Sequence, residues 1–263
     1  MAKAKDAQRK IEKRETRTPI RRIGVVVPAH NEAALIDACL RSIDRAAAHA
    51  LTFRIDVTVH VVCDACSDDT AARVVAHGFQ PLTANLRNVG AARAMGAGAA
   101  LAAGADWLAF TDADTRVSPT WLIDQVALDA DAFCGTIGVD DWGHYGAPMR
   151  AHFSATYHDV EHHRHIHGAN FGISAAAYRA TGGFEPLASH EDVALVESLI
   201  AADFNIAWSA VPRVTTSARA DYRAPEGFGA TLERVGAAFV ETTQAARKSL
   251  GELLPEVRKV AGA

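Results

Sequence analysis

Asp112 and Asp114 stand one residue apart at the end of an apolar run, Trp107-Leu108-Ala109-Phe110, that reads as a buried strand. In an open α/β sheet, ligands bind beyond the carboxyl ends of the strands, so this strand delivers two carboxylates into such a crevice. Carboxylates held that close repel each other unless a positive group sits beside them. A hard divalent cation, Mg2+ or Mn2+, itself carrying ligand phosphates, meets that need with oxygen ligands. Alone, Asp-x-Asp reads first as a solvated turn. Its company decides between the two.

Asp64 ends an earlier strand with no helical duty, which leaves it free to meet a ligand. Arg93, in the first turn of a small-residue helix, is either a solvated side chain or a cation that reaches an anion at the site. Glu191-Asp192 opens a helix, where first-turn acids also complement the dipole. His158/His162 and His163/His167 lie at i,i+4, the spacing of two ligands on one helix face, so zinc is conceivable; a polar face or a substrate-facing rim is the plainer reading. Cys63-Asp64-Ala65-Cys66 has the spacing of a redox pair, and a zinc knuckle would need a second pair that Cys39 and Cys134 do not form.

The elements that must position these groups alternate between strand and helix. Ile23–Val27 is a β-branched strand stopped by Pro28, with Asn31 as N-cap of a helix whose apolar stripe is Leu35, Ile36, Cys39, Leu40 and Ile43. Ile55–Val62 is a second strand, followed by a helix capped by Ser67. Asn88 opens a third helix, whose internal Gly96-x-Gly98 is no dinucleotide fingerprint because it lies inside the helix. After the Asp112–Asp114 strand, Ser118-Pro119 starts a further helix. Phe133–Val139, Gly168–Ser174, Ile206–Val211 and Val214–Thr216 read as later strands, and a last amphipathic helix from Ala230 to about Leu250 packs on the domain or on a partner. The pattern is a wound α/β sheet in which three strand ends, Pro28–Glu32, Asp64 and Asp112–Asp114, converge on one crevice. That many polar and acidic groups suit a crevice holding a nucleotide and a metal.

The chain has 263 residues, 49% of them apolar, enough for a large core. Residues 1–22 are strongly basic, so the remainder is clearly acidic; the arm reads as a solvated, disordered extension and not as a nucleic-acid contact. It lacks the apolar core of a signal peptide, and no stretch is apolar enough to span a bilayer, so a cytoplasmic protein is expected.

The ordered motifs Val-Val-Val-Pro-Ala-His-Asn-Glu (25–32), Val-Val-Cys-Asp-Ala-Cys-Ser-Asp-Asp-Thr (61–70), Asn-Val-Gly-Ala-Ala-Arg (88–93), Thr-Asp-Ala-Asp (111–114), Gly-Ala-Asn (168–170), Gly-Gly-Phe (182–184) and Glu-Asp (191–192) resemble those of a family 2 glycosyltransferase. The resemblance implies the GT-A fold, a Rossmann-like, mixed but mostly parallel sheet flanked by helices. It implies a domain over 22–230, with a nucleotide-binding half (22–130) and an acceptor-binding half (131–230), between the arm (1–21) and a C-terminal helix and tail (231–263). It further implies a metal-dependent, inverting, non-processive transfer of a sugar from a UDP- or GDP-sugar to an acceptor hydroxyl. In that reading Pro28, Ala29, Asn31, Glu32 and Asp64 hold the base and ribose, Arg93 sits near the phosphates, Asp112 and Ala113 face the ribose, and Asp114, with Asp112, takes Mn2+ or Mg2+. Asp192 is similar to the family's general base, with His190, Glu191 and Asn170 at the acceptor.

Three departures qualify the resemblance. The usual Asp-Asp-Gly-Ser is Cys63-Asp64-Ala65-Cys66 here, so one acid is missing. No histidine follows His190, and the Gln-x-x-Arg-Trp box of processive synthases is absent. Arg219 and Arg223 are assigned the diphosphate work of that box. The acceptor is left open, and a homo-oligomer is allowed. Two alternatives are a sugar nucleotidyltransferase and a non-catalytic nucleotide-sugar-binding protein. The first expects a glycine-rich basic loop where Pro28-Ala29-His30-Asn31-Glu32 stands.

Overall fold

The chain runs β1 (Arg22–Ala29), α1 (Ile36–Thr52), β2 (Asp56–Asp64), α2 (Thr70–Ala76), β3 (Leu82–Ala84), α3 (Val89–Ala102), β4 (Trp107–Phe110), β5 (Arg116–Val117), α4 (Trp121–Ala127), β6 (Ala132–Gly138), α5 (Gly146–Thr156), β7 (Phe171–Ser174), α6 (Ala175–Ala180), α7 (Glu191–Ala201) and β8 (Ile206–Thr215). The computed structural model describes residues 19–219, 221 and 227–238. The basic arm before residue 19, Arg223 and the C-terminal helix beyond 238 lie outside the described residues.

All eight strands join one sheet in the order β3-β2-β1-β4-β7-β6-β8-β5. The β3-β2-β1-β4 part is parallel. β7 pairs antiparallel with both β4 and β6, β6 with β8 is parallel, and β5 closes the edge antiparallel to β8. Parallel strands are covered on both faces and therefore read as unbroken apolar runs. β1 and β4 obey this: Ile23, Val25, Val26, Val27 and the four residues of β4 are all buried.

α3 lies on β1 and β2 because its inner face is nearly bare. A Cβ at Gly96 would stand 2.4 Å from Val26 Cγ1, whereas one at Gly98 would meet nothing within 4 Å. Gly96→Ala is therefore expected to destabilise by about 1–3 kcal/mol through overpacking. Gly98→Ala, on the exposed face of the same helix, should stabilise by up to about 1 kcal/mol. Urea unfolding of the two variants checks the pair. The core beneath α3 is aromatic: Phe110, Phe171, Tyr178 and Phe184 group together, Phe110 and Phe184 edge to face at 4.9 Å.

Three helix starts differ from expectation, the first being α4, which begins at Trp121 with Thr120 before it, uncapped by a side chain, instead of at Ser118-Pro119. Asn31 is not an N-cap: it adopts φ +53°, and its Oδ1 accepts from the Ser67 N–H at 2.8 Å, tying the turn after β1 to the turn after β2. α2 begins at Thr70 instead of after Ser67, with Asp68 accepting from the Thr70 N–H and hydroxyl.

The described residues divide into two compact units, 19–140 with 158–217, and 141–157 with the described residues from 218 on. The first carries the whole sheet. The second holds α5 and a helical stretch over 228–238, packed through Phe153 on Trp142, Tyr157 and Phe228 at ring separations of 4.5–5.9 Å.

Candidate active site

The parallel register aligns Ala29 with Cys63 and Val26 with Phe110, so β1, β2 and β4 all end at the same edge of the sheet. Pro28 to Glu32, Asp64 and Asp112 to Asp114 follow from those ends. One buried thiol registers what gathers there. Burial pushes the Cys39 thiol well above its usual range, and the charges of Asp114, Asp112 and Glu32 push it further the same way. Asp114, Asp112 and Glu32 are thus all near enough to Cys39 to act on it through their charge. Cys39 also donates to the Asp112 carbonyl at 3.4 Å, fixing the turn from below.

Each acid is held differently. Asp112 Oδ1 accepts from Arg93 Nη2 at 2.5 Å while its side chain stays 36% exposed. Arg93 also pairs with the buried Glu191. Asp114 Oδ1 lies 3.2 Å from the Thr115 hydroxyl and 3.5 Å from that of Thr216, and those two hydroxyls are 2.9 Å apart. Thr216 follows directly on β8 and carries no motif. A hydroxyl at a strand end was the only available signal.

On the other side of Glu191, Asp192 occupies the first turn of α7, with Oδ2 accepting from the Gly168 N–H at 2.7 Å and Oδ1 from the Val193 N–H at 2.9 Å. Asp112, Arg93, Glu191 and Asp192 thus form a continuous charged chain from the end of β4 to the start of α7.

Other expected ligands are engaged elsewhere. Asp64 is not free: it is buried, and its two oxygens accept from the N–H groups of Leu86, Arg87 and Asn88 at 2.5–3.0 Å, clasping the turn before α3. Asn170 is fully buried, with its amide donating to the carbonyls of Thr136 and Pro212 and accepting from Trp121 Nε1, so it does not reach an acceptor. The first turn of α3, where Arg93 sits, is covered by its own chain: Gly90 N–H donates to the Leu187 carbonyl and Ala91 N–H to Asn88 Oδ1. Pro28 and Ala29 belong to β1, and the Ala29 carbonyl accepts from Cys66 Sγ at 3.4 Å. Ala113 is buried, and His190 is exposed with φ +62°. Arg219 lies in the second unit.

The histidines do not stand on a helix. α5 ends at Thr156 and 157–167 carries no helix, so the i,i+4 spacing places no two rings on one face. The rings alternate instead, His163 over His165 at 5.4 Å and His165 over His167 at 5.8 Å, stacked nearly parallel. Rings stacked in this way do not converge on one ion, and no group of three His, Cys, Asp or Glu suited to a metal occurs among the described residues. Burial pushes the His167 imidazole down to about 3, with His165 and His163 adding to the effect. The unfolded chain then takes up a proton near pH 6.5 that the folded one refuses, so stability present above that pH is lost as pH falls toward 3. The residue as a whole is only partly buried, so replacing His167 with Gln should flatten only about 1 kcal/mol of the loss between pH 7 and 5, read from urea melts.

All four cysteines are free thiols. Burial raises Cys63 to about 12 and Cys66 above its usual value. That is the opposite direction from the lowered thiol pKa of a redox pair.

Asp114 and Asp112 have the chemistry a hard divalent cation takes: Mg2+ and Mn2+ sites built on phosphates use one or two carboxylates and water, not an all-protein cage, and both residues are partly exposed at the carboxyl edge of the sheet.

The glycosyl transferase family 2 model matches residues 24–181. Among solved structures, S. aureus TarS residues 1–349 in complex with UDP-GlcNAc is 16% identical with a TM-score of 0.59, covering 82% of this chain and 66% of that one. The complex of the same protein with UDP is 15% identical, TM-score 0.56, covering 83% and 70%. Mycobacterium tuberculosis glucosyl-3-phosphoglycerate synthase with Mn2+, UDP and glucosyl-3-phosphoglycerate is 19% identical, TM-score 0.49, covering 74% and 71%. This chain spans about two thirds of the TarS 1–349 chain and 39% of the longer TarS chain. No curated protein matches it. No helix of the described residues is long and apolar enough to cross a membrane. The mixed sheet is that of the GT-A glycosyltransferases, and with well over half its length matched by the family model, the chain belongs to glycosyl transferase family 2.

Proposed function

We propose that this protein transfers a sugar from a nucleotide-diphospho-sugar to an acceptor hydroxyl by a single, inverting and non-processive displacement supported by Mn2+ or Mg2+. The observation that carries this reading is the charged chain joining Asp112, at the end of β4, to the turn of α7 that bears Asp192. Asp114 and Asp112 would hold the cation, whose role is to neutralise charge on the departing diphosphate. Thr115 and Thr216 orient the Asp114 carboxylate by their hydroxyls. Asp192, fixed by the Gly168 N–H, takes the proton from the acceptor hydroxyl as that oxygen attacks the anomeric carbon. Attack from the face opposite the leaving group inverts the centre. The Pro28–Glu32 turn lies at the same strand ends and supplies the side of the crevice toward the base.

The TarS complexes contain UDP and UDP-GlcNAc, so UDP-sugars are the first probes, with GDP-sugars beside them. At about 100 times its Kd a ligand of the folded state stabilises by about 2.7 kcal/mol. A UDP- or GDP-sugar is expected to raise Tm in the presence of Mn2+, and Asp114→Ala should abolish that rise. A nucleoside diphosphate as product identifies transfer; pyrophosphate would identify a nucleotidyltransferase. A rise that survives Asp114→Ala, or none with any donor, counts against the reading.

A further inference from the structure

Arg93 was expected near the donor's phosphates, yet its surroundings close it off. Its side chain is 5% exposed, as is that of Glu191, whereas Asp112 is 36% exposed. One face of the guanidinium region is walled by Gly168, where even a Cβ would come within 2.4 Å of Nη2. Phe184 lies 5.9 Å away, in cation–π range. An anion reaching Arg93 would have to displace a carboxylate that already holds it.

We propose that Arg93 is a positioning residue: it is the counter-ion shared by Asp112 and Glu191, and through Glu191 it fixes the direction of Asp192, instead of binding the diphosphate. Three features support this. Glu191 and Asp192 are consecutive in the first turn of α7, so the ion pair of one sets the backbone from which the other projects. The residue before that turn, His190, is left-handed and makes no side-chain cap, so the ion pair ties down a turn that no capping side chain holds. Gly168 packs on Arg93 and donates its N–H to Asp192, so both contacts converge on one residue whose lack of a side chain leaves room for the guanidinium. The part of the inference concerning catalysis rests on Asp192 being the base; the positioning itself does not.

Hydrogen exchange of the Gly168 amide reads the direction of Asp192 without substrate or metal. In full-length Glu191→Ala, Arg93 keeps Asp112 and still packs on Gly168. The Gly168 amide is nevertheless expected to exchange about tenfold faster while β1 amides stay unchanged, since only a local contact is lost. Glu191→Gln, which still accepts from Arg93, should recover most of the protection. Unchanged exchange in Glu191→Ala, or no advantage of Gln over Ala, overturns the proposal. Glu191→Asp, too short to reach Arg93, serves with the same expectation if the alanine variant does not fold. A second arm tests the phosphate role: Arg93→Met added to an Asp112→Asn/Glu191→Gln background, where both anions it holds are already neutral, should leave the metal-free UDP affinity of that background unchanged within about twofold. A loss of about tenfold would make Arg93 a diphosphate ligand and overturn the proposal. If wild type binds no UDP, the donor assignment fails, and the exchange result still decides the positioning.

Discussion

Asp192→Asn is expected to keep metal-dependent donor binding while transfer falls by about 10²–10⁴-fold, the usual range for removing a general base. The substitution is nearly isosteric, and the asparagine oxygen can still accept the Gly168 N–H that fixes Asp192 Oδ2 at 2.7 Å. What it removes is the ability to take a proton. The negative charge of Asp192 is felt across the site: burial is the main cause that lifts the Cys134 thiol, and Asp192 adds to it. Donor binding should survive because Asp192 belongs to the α7 end of the charged chain, and Asp112 and Asp114 to the β4 end. Asp114→Ala is the opposite case, losing donor binding first. Calorimetric titration of a UDP-sugar with Mn2+, run beside a product assay on both variants, separates the two phenotypes. Full activity in Asp192→Asn would remove the base assignment and leave Asp192 as a first-turn acid that only complements the helix dipole.

The elements that frame the site were legible because each satisfies its own local rule. Ile23–Val27 and Trp107–Phe110 are unbroken apolar runs and became β1 and β4; Asn88 was read as a helix opener and caps α3 through Ala91 N–H. What was not legible depends on partners far away in sequence. β3 and β5 have three and two residues, too few to show a period. β8 was read as two strands because Pro212 and Arg213 interrupt it. In the sheet Pro212 sits opposite the irregularity between Gly135 and Ile137, where a strand can carry proline. The histidine spacing was counted on a helix that ends at Thr156.

Asp64 and Arg93 show why site residues were harder than strands. A carboxylate at a strand end and an arginine at a helix start have the chemistry of ligand contacts. Whether they face a ligand depends on which orphan groups stand beside them. Asp64 meets three backbone N–H groups some twenty residues on, and Arg93 meets Glu191 from another part of the chain. Asp112 is likewise held, by Arg93, and Asp114 lies against the Thr115 and Thr216 hydroxyls, but both residues keep part of their surface exposed at the carboxyl edge of the sheet.

Asn170→Ala should be strongly destabilising, and its effect should be on folding before activity. Asn170 is fully buried, and its amide serves three partners. Trp121 Nε1 donates to its oxygen at 2.8 Å, and its nitrogen donates to the carbonyls of Thr136 and Pro212 at 2.7 and 2.6 Å. Those carbonyls flank the place where β6 and β8 slip register, so the neighbouring strands cannot satisfy them. The fit is tight: a Cβ on Gly135 would lie 2.2 Å from Asn170 Nδ2. Truncation strands one donor and two acceptors in the interior, each worth about 1–3 kcal/mol, so a loss of at least about 3 kcal/mol follows. Against a typical stability of about 5–15 kcal/mol that is a large share, and at about 2–4 °C per kcal/mol for a chain of this size Tm should fall by roughly 10 °C. Asn170→Asp should be no better, because a carboxylate oxygen would face two carbonyl oxygens and donate to neither. The acceptor-contact reading makes the reverse forecast, an unchanged Tm with weakened acceptor use. Thermal melts of the two variants in the absence of any ligand therefore decide between a residue that holds the sheet and one that holds the substrate.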